Sequence, residues 1–267
     1  PFAFTGNKFE LRAVGSTANC SVPMTVLNMI VADQLSQFKA SVDKLISEGL
    51  KKDDAIFNML REYIKSSKDV RFEGDGYSQE RKKIASQRGL KNTPDTPRAL
   101  DFYLSKSSID LFEKTGVLNK VEIEARYEIL QEEYFKSIQI ESRTLGDLVK
   151  NHIVPTSIRY QSTLSENVNR LKKVLEKDVY EKVSKEQIQM IVEISQLVSD
   201  ALNGVNEMIE ARKVANKIEN LRKKSLAYCD KVKPYLEKIR YSVDKLELLV
   251  DNEIWPLAKY REILYIR

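Results

Sequence analysis

The sequence is short of the residues that build metal and redox sites. It contains two cysteines, Cys20 and Cys229, and a single histidine, His152. The cysteines lie far apart and form no CxxC pair, which excludes a cysteine-ligated zinc site and favours a reduced, cytoplasmic protein; a disulfide between them stays open. One histidine excludes most histidine-based catalysis, and we interpret His152 as a structural residue on the apolar side of a helix end. Cys229 has no histidine beside it in the sequence, which argues against a catalytic nucleophile.

Long apolar runs are also missing. No stretch reaches the length that crosses a bilayer, so we predict no membrane segment. No basic start followed by an apolar core marks a signal peptide. The chain begins with Pro1 and a strand-like pattern. We therefore expect the natural protein to have residues upstream of Pro1.

Helix-breaking residues are scarce, with 9 Gly and 7 Pro among 267 residues. Charged residues make up 31% of the chain and apolar residues 42%. This composition favours helices, in one large domain or two ordinary ones. The net charge of +5 is mildly basic, and it is compatible with binding ATP, nucleic acid or neither.

The opening is the one stretch that alternates in a strand-like way. Apolar and charged residues alternate over Phe9-Glu10-Leu11-Arg12, and the pattern predicts one strand with its approach over residues 4–14. Glu10 and Arg12 would then project from the same face, about 6.6 Å apart along the strand. That face could hold a metal ion or an anion, or it could face water.

Helical spacing dominates the rest of the first half. Pro23 fits the first turn of a helix that Gly49 ends, and Ser78 fits the N-cap of a short helix through Arg88. Further helices are predicted over residues 53–66, from near Thr96, and from near Asn119 towards Leu148. The glycines of the intervening sequence RFEGDGYSQ indicate a turn, because no Lys-Ser/Thr of a phosphate-binding loop follows them.

Three heptad-like seams follow residue 157, and such seams require partner helices. We therefore predict an antiparallel bundle of long helices. The joint near residues 211–221 contains neither Gly nor Pro, so a break and a kinked continuous helix both stay open there. Pro234 should bend the third seam or mark a break in it. The predicted seam positions are 164, 168, 171 and 175; 188, 191, 195, 198, 202, 205 and 209; and 218, 221, 225, 228, 232, 235, 239, 242, 246 and 249.

The most basic stretch runs from Arg212 to Arg240, with ten Lys or Arg and three acidic residues. Such a stretch can bind nucleic acid, but it is also typical of a solvated helix face. No aromatic–basic RNA motif accompanies it, which disfavours nucleic-acid binding. Tyr228 and Tyr235 fall at seam spacing, so we expect them in the core rather than on a base-stacking surface.

The segment PFAFTGNKFELRAVGSTANCSVPMTVLN, over residues 1–28, resembles the C-terminal part of type III glutamine synthetases. Two further segments are similar to the same family. They are TPRALDFYLSKSSIDLFEKTGVLNKVEIEARYEILQEEY and the closing DNEIWPLAKYREILYIR. The resemblance therefore touches the start, the middle and the end of the chain.

The resemblance implies an ATP-dependent glutamate–ammonia ligase that forms glutamine through γ-glutamyl phosphate, with Mg²⁺ or Mn²⁺ on the phosphates. By position, it implies that Glu10 is a metal ligand, that Arg12 is the catalytic residue that binds the substrate carboxylate or the transferring phosphate, and that Lys8 lies on the nucleotide side. The implied substrates are glutamate, ammonia and ATP. The implied assembly is a large homo-oligomeric ring in the cytoplasm.

The same resemblance implies a mainly α fold, with one or two N-terminal strands from the catalytic barrel and then helices that end in a long-helix antiparallel bundle. Residues 1–150 would be the C-terminal portion of the catalytic domain, and residues 151–267 the helical domain of type III members. The family's other metal-ligand motifs are absent from these 267 residues. We therefore expect this segment alone to be inactive.

Two other functions remain as alternatives to the ligase. The first is a non-catalytic helical module for assembly or interaction, whose seams bind partner helices. The second, less favoured, is a helical nucleic-acid-binding protein that uses the stretch from Arg212 to Arg240.

Overall fold

The computed structural model describes residues 2–11 and 18–264, which contain two strands and eleven α-helices. The expected mainly α fold with two short N-terminal strands is confirmed. None of the helices in these two ranges combines the length and apolar composition of a membrane span. The elements are β1 Phe2–Phe4, β2 Phe9–Leu11, α1 Ser21–Ser47, α2 Lys52–Ser66, α3 Gln79–Gln87, α4 Thr96–Leu100, α5 Lys106–Lys114, α6 Lys120–Leu148, α7 Val154–Val174, α8 Lys177–Asn216, α9 Leu221–Ala227, α10 Lys233–Leu249 and α11 Tyr260–Leu264.

The opening is a β-hairpin, and the prediction of one strand over residues 4–14 is wrong. Strands β1 and β2 pair antiparallel, with Phe2 opposite Leu11 and Phe4 opposite Phe9. The turn lies at Gly6-Asn7, where Gly6 has φ +99°, a left-handed conformation that favours glycine. Residues 12–14 of the predicted strand lie outside the described residues.

The chain divides into two compact units, residues 1–127 (unit 1) and residues 128–267 (unit 2). The expected domain boundary at residues 150 and 151 is a separate prediction about the family's domains, and it stays a prediction. Helix α6 contributes to both units.

Unit 1 contains a small core. Helix α1 packs against α2, where the rings of Phe38 and Tyr63 meet edge-on with centroids 5.6 Å apart. The N-terminal half of α1 uses the opposite side of the helix, where Met29 forms a buried cluster with Phe112 and Ile123.

The predicted helix ends of unit 1 are confirmed. The Ser78 hydroxyl accepts a hydrogen bond from the Arg81 amide at 3.1 Å and caps α3, and Gly49 follows α1 with φ +101°. At the start of α6, the Asn119 side chain accepts from the Glu122 amide at 3.0 Å. The Glu122 carboxylate accepts from the Asn119 amide at 2.8 Å in return.

Unit 2 is an antiparallel helical bundle, as expected. The C-terminal part of α6, a π-helical turn and α7 run antiparallel to α8 in one continuous register. From one polar contact to the next, the residue number rises along α6 and α7 by nearly as much as it falls along α8. These contacts are Gln139 with Asn216, Lys150 with Asn206, and Asn167 with Gln187. Helix α10 then packs on the C-terminal half of α8, where Glu207 pairs with Lys238 at 2.9 Å.

Proline shapes both long helical rods of unit 2 in the same way. A five-residue π turn, Val149–Ile153 or Tyr228–Val232, precedes the helix that holds Pro155 or Pro234. Each proline lies six residues after the first residue of its π turn. A proline has no backbone N–H to donate to the carbonyl of the preceding helical turn. The π turn accommodates this missing hydrogen bond, because its hydrogen bonds join residues five apart. The prediction that Pro234 marks a break is confirmed.

The predicted seams are right in large part. Val168, Ser225, Tyr228, Ile239, Ser242 and Leu246 are buried. In the middle seam, Val205 is buried, but Ile188 and Ser195 are exposed, because α8 turns Ile194, Ala201 and Met208 inward instead. At the uncertain joint, α8 ends at Asn216 and Asn220 caps α9, so a continuous kinked helix is wrong.

Candidate functional site

Glu10 lies at the centre of β2, opposite Ala3. Its carboxylate accepts a hydrogen bond from the Thr5 hydroxyl at 3.2 Å. This bond orients the carboxylate towards the start of the hairpin turn. Its side chain is 36% exposed. Glu10 is therefore an oriented carboxylate with a partly open face, the type of group that can contribute an oxygen ligand to a hard cation.

Lys8 and Glu10 project from the same face of the hairpin, two residues apart. The Lys8 ammonium lies 3.7 Å from the Glu10 carboxylate, and its side chain is 67% exposed. Arg12, the third predicted site residue, lies outside the described residues. The structure thus brings together two of the three predicted residues as an exposed acid–base pair.

A metal ion needs several convergent ligands, and Mg²⁺ takes about six oxygens. Within residues 2–11 and 18–264, no three His, Cys, Asp or Glu side chains are grouped to hold one. The described residues therefore fit a metal ion only in part, with Glu10 as a single contributor.

A charged groove of about 490 Å³ in unit 1 surrounds the FEGDGYS turn and the start of α3. The guanidinium groups that line the groove donate hydrogen bonds to backbone carbonyls of unit 1. Arg71 donates to the Ile64 carbonyl at 2.8 Å, and Arg88 donates to the Arg71 carbonyl at 2.6 Å. The Asp75 carboxylate accepts from the Tyr77 amide at 2.9 Å. The predicted turn is confirmed, and its basic groups tie the loop to the adjacent helices.

The basic stretch of unit 2 contains two members of a polar network, the buried Tyr228 and the exposed Asn216. The Tyr228 hydroxyl donates to the Asn216 side chain at 2.7 Å and accepts from Gln139 at 3.0 Å. Burial raises the pKa of Tyr228, and its hydrogen bonds and the nearby Arg212 and Arg143 oppose the rise. The core placement expected for Tyr228 is confirmed, and Tyr235 packs half-buried against the same core.

The structure also tests the expectations for the two cysteines and the histidine. Both Cys20 and Cys229 are free thiols, which answers the open question of a disulfide. His152 is exposed within the first π turn. Its expected place on an apolar side is wrong, because the π turn directs Val149 and Ile153 to the core instead.

Sequence reasoning missed two features of these sites. The Gly6-Asn7 pair is a recognised hairpin signal, and it could have located the turn that orients Glu10. The network of Gln139, Asn216 and Tyr228 joins residues far apart in sequence, so no local pattern could have indicated it.

The fold and the site define a helical segment with one strand-borne carboxylate, rather than a complete catalytic site within the described residues. Residues 55–172 match the family model of the glutamine synthetase C-terminal domain. The chain is also similar, over all 267 residues, to the glutamine synthetase of Bacteroides fragilis (strain YCH46), with 49% identity, and to the type-3 glutamine synthetase of Dictyostelium discoideum, with 33% identity. It is 30% identical to the glutamine synthetase of Butyrivibrio fibrisolvens over 99% of the chain.

These comparisons confirm the resemblance: the chain is a homologue of the C-terminal part of glutamine synthetases, type III among them. It spans 37% of the length of the Bacteroides protein, 36% of the Dictyostelium protein and 37% of the Butyrivibrio protein. Nearly two thirds of each relative therefore has no counterpart in these 267 residues.

Proposed function

We propose that this chain acts as the C-terminal part of an ATP-dependent glutamate–ammonia ligase that makes glutamine. The observation that carries the proposal is similarity to glutamine synthetases over the entire chain, at up to 49% identity among the relatives compared. The oriented carboxylate of Glu10, at the place that the family resemblance assigns to a metal ligand, supports it.

In the proposed reaction, the side-chain carboxylate of glutamate attacks the terminal phosphorus of ATP and ADP leaves. Ammonia then attacks the acyl carbon of γ-glutamyl phosphate, and phosphate leaves. Mg²⁺ or Mn²⁺ would supply charge stabilisation of the phosphates when bound. Glu10 would provide one ligand, Arg12 would bind the substrate carboxylate or the transferring phosphate, and Lys8 would lie on the nucleotide side.

The remaining ligands would come from chain outside residues 1–267. One carboxylate cannot assemble a site that needs several ligands, so we propose that this segment alone is inactive. Residues 1–150 would complete the catalytic domain, and residues 151–267 would form the helical domain of type III members.

A fusion tests the assignment. This chain replaces the matching 37% of the Bacteroides fragilis relative, and ATP- and ammonia-dependent glutamine formation is measured with Glu10→Gln. We expect turnover to fall about 100-fold or more, because an interaction with developing charge is removed, and the Mn²⁺ concentration needed for binding to rise. Glu62→Gln, at an exposed position of α2, makes the same charge change and should leave both unchanged. Near-normal turnover of Glu10→Gln would reject the role of this residue.

The second candidate function, helical assembly, is favoured by the long bundle of unit 2. It is compatible with the first, because that bundle could serve in a homo-oligomeric ring of a cytoplasmic ligase. Light scattering of the fusion measures the assembly. Nucleic-acid binding stays a disfavoured alternative, and it predicts a steep dependence of affinity on salt.

A further inference from the structure

Two arginines of unit 2 lie one helical turn from the polar network around Tyr228. In that network, the Gln139 amide of α6 donates to the Asn216 side chain of α8 at 3.0 Å, and the two helices run antiparallel. Arg143 comes four residues after Gln139, and Arg212 comes four residues before Asn216. Because an α-helix rises about 1.5 Å per residue, both arginines lie about 6 Å beyond this contact, at the same level of the helix pair.

Both guanidinium groups lie near the Tyr228 hydroxyl. Burial raises the pKa of Tyr228, and the positive charges of Arg212 and Arg143 each act against that rise, which requires both charges to be close to the hydroxyl. Arg212 is half-buried and Arg143 is exposed. The two side chains therefore approach one point at the surface of unit 2 from two different helices.

No carboxylate balances these two charges. In the part of the chain that the structure describes, neither the Arg143 nor the Arg212 guanidinium forms an ion pair or a hydrogen bond. Helix α8 has no acidic residue three or four positions from Arg212. On α6, Asp147 lies one turn from Arg143, but its carboxylate accepts a hydrogen bond from Asn151 at 2.5 Å. Two neighbouring positive charges repel each other, and a bound anion would remove that repulsion.

Asn216 adds a neutral hydrogen-bond donor beside the arginines. Its side-chain oxygen accepts from Gln139 at 3.0 Å and from the Tyr228 hydroxyl at 2.7 Å, which fixes the orientation of the amide. The NH₂ group on the other arm of the amide has no acceptor among the described residues. The place where the arginines meet therefore offers donors and positive charge.

We propose that Arg143 and Arg212 bind the phosphate group of a small molecule, with Asn216 as a third donor. Each guanidinium can donate two parallel N–H bonds to phosphate oxygens. A phosphate monoester carries about −1.5 to −2 charges at pH 7, which balances both arginines, whereas one carboxylate balances only one of them. The site goes beyond the proposed function, because the ligase reaction assigns no role to these residues.

A small phosphate ligand fits this surface better than a nucleic-acid backbone does. A backbone is bound by a row of cations, each of which neutralises one phosphate. In the basic stretch that begins at Arg212, Lys213 pairs with Glu210 at 2.7 Å and Lys238 pairs with Glu207 at 2.9 Å. The stretch is therefore partly neutralised by its own neighbours, which favours one compact anion at the arginine pair.

Titration calorimetry of the whole 267-residue chain tests the proposal, with inorganic phosphate added against chloride at matched ionic strength. We expect one phosphate per chain, with a Kd of about 1 mM or below. Adenosine monophosphate is the second probe: tighter binding than phosphate identifies a nucleotide ligand, and equal binding identifies free phosphate, so either result supports the site. Succinate, a dicarboxylate, should bind at least about tenfold more weakly than phosphate. Succinate binding as tight as that of phosphate would overturn the proposal, as would a phosphate titration that does not saturate.

Substitutions locate the binding on the arginine pair. Arg143→Gln and Arg212→Gln should each weaken phosphate binding at least about tenfold, because each removes charge-assisted hydrogen bonds. Arg212→Lys keeps the charge but removes the planar fork, and it should also weaken binding. Arg170→Gln makes the same charge change at an exposed position of α7 and should leave binding unchanged.

Three results would overturn the proposal. Unchanged phosphate binding in both Arg143→Gln and Arg212→Gln would place the anion elsewhere. Equal weakening by Arg170→Gln would show that the net charge, rather than a site, attracts phosphate. A lower Tm of both variants in buffer without phosphate would show that the arginines serve the fold, since removing one of two unpaired like charges should leave the Tm unchanged or raise it.

Discussion

Units 1 and 2 bury their apolar residues to different extents. The core of unit 2 contains seventeen of the described residues, with Ile194, Met208 and Ile239 fully buried. The comparable cluster of unit 1 contains three, Met29, Phe112 and Ile123. Unit 1 nevertheless exposes large apolar side chains on α1 and α2, with Leu35 and Phe57 more than 60% exposed.

The difference follows from how the helices are arranged. In unit 2, α8 is 40 residues long, and it has antiparallel neighbours in one register along its length. In unit 1, helix α1 packs against α2 on one side and against α5 on another. A unit built in this way leaves apolar side chains of α1 and α2 exposed between its contacts.

The largest expected effect comes from a charge placed in each core. Ile239→Asp in unit 2 should lower the free energy of unfolding by about 4 kcal/mol or more, because the carboxylate would be buried without a partner. Ile123→Asp in unit 1 should cost about half as much, because a cluster of three buried residues can rearrange around the carboxylate more easily than a core of seventeen. Urea denaturation followed by circular dichroism measures both.

Tyr241→Asp, at an exposed position of the same helix as Ile239, is the control and should change stability by about 0.5 kcal/mol at most. If Ile123→Asp and Ile239→Asp cost the same, the core of unit 1 is as closed as that of unit 2. The contrast between the units would then be wrong.

Much of the fold was predictable because its signals are local. Ser78, Gly49 and Asn119 mark helix ends through their own side chain or backbone, and heptad spacing marked the buried positions of α10. The middle seam was harder, because α8 is covered by different helices along its length and its inward side drifts from Val205 and Met208 to Ile194. The π turns before Pro155 and Pro234 change the helix type where each proline removes an amide from the hydrogen-bond ladder.

The candidate site was predictable only in part. Alternation placed Glu10 on a strand, but the partner strand and the Thr5 hydrogen bond depend on a turn that the spacing of Glu10 and Arg12 does not show. The family resemblance, rather than any pattern in the residues, supplied the roles of Lys8, Glu10 and Arg12. Those roles depend on ligands contributed by other strands, which a single segment cannot reveal.

A smaller effect tests how closely the helices of unit 2 approach. A Cβ on Gly204 would lie 2.8 Å from Cγ1 of Ile239, an atom near the backbone that cannot easily move. Gly204→Ala should therefore lower the free energy of unfolding by about 1–3 kcal/mol through overpacking. Thermal melts and urea titrations measure the change.

Gly146 offers the matched control in the same unit. Its added Cβ would lie 3.5 Å from Val205, in ordinary contact, so Gly146→Ala should be neutral or stabilise by up to about 1 kcal/mol through helix propensity. Equal destabilisation by both substitutions would show that helix packing against α8 is tight everywhere rather than at the α10 crossing.

The smallest effect concerns the polar network around the buried Tyr228, which distinguishes unit 2 from a purely apolar bundle. Tyr228→Phe removes the hydroxyl that joins Asn216 and Gln139, and it should cost about 1 kcal/mol at pH 7. Burial raises the pKa of Tyr228 above its ordinary 10.0, so the unfolded chain loses this proton first as pH rises. The stabilisation is thus complete below pH 10.0 and decreases above it, as pH rises towards the folded pKa.

The variant should therefore show a flatter loss of stability on the alkaline side than the parent, measured by urea titrations at a series of pH values. Tyr241→Phe, which alters an exposed tyrosine, should keep the parent's slope because its environment resembles that of the unfolded chain. The same alkaline slope in Tyr228→Phe and in the parent would mean that the hydroxyl ionises as readily in the bundle as in water. The Tyr228 hydroxyl would then be open to solvent, and unit 2 would lose at this position the closed core that sets it apart from unit 1.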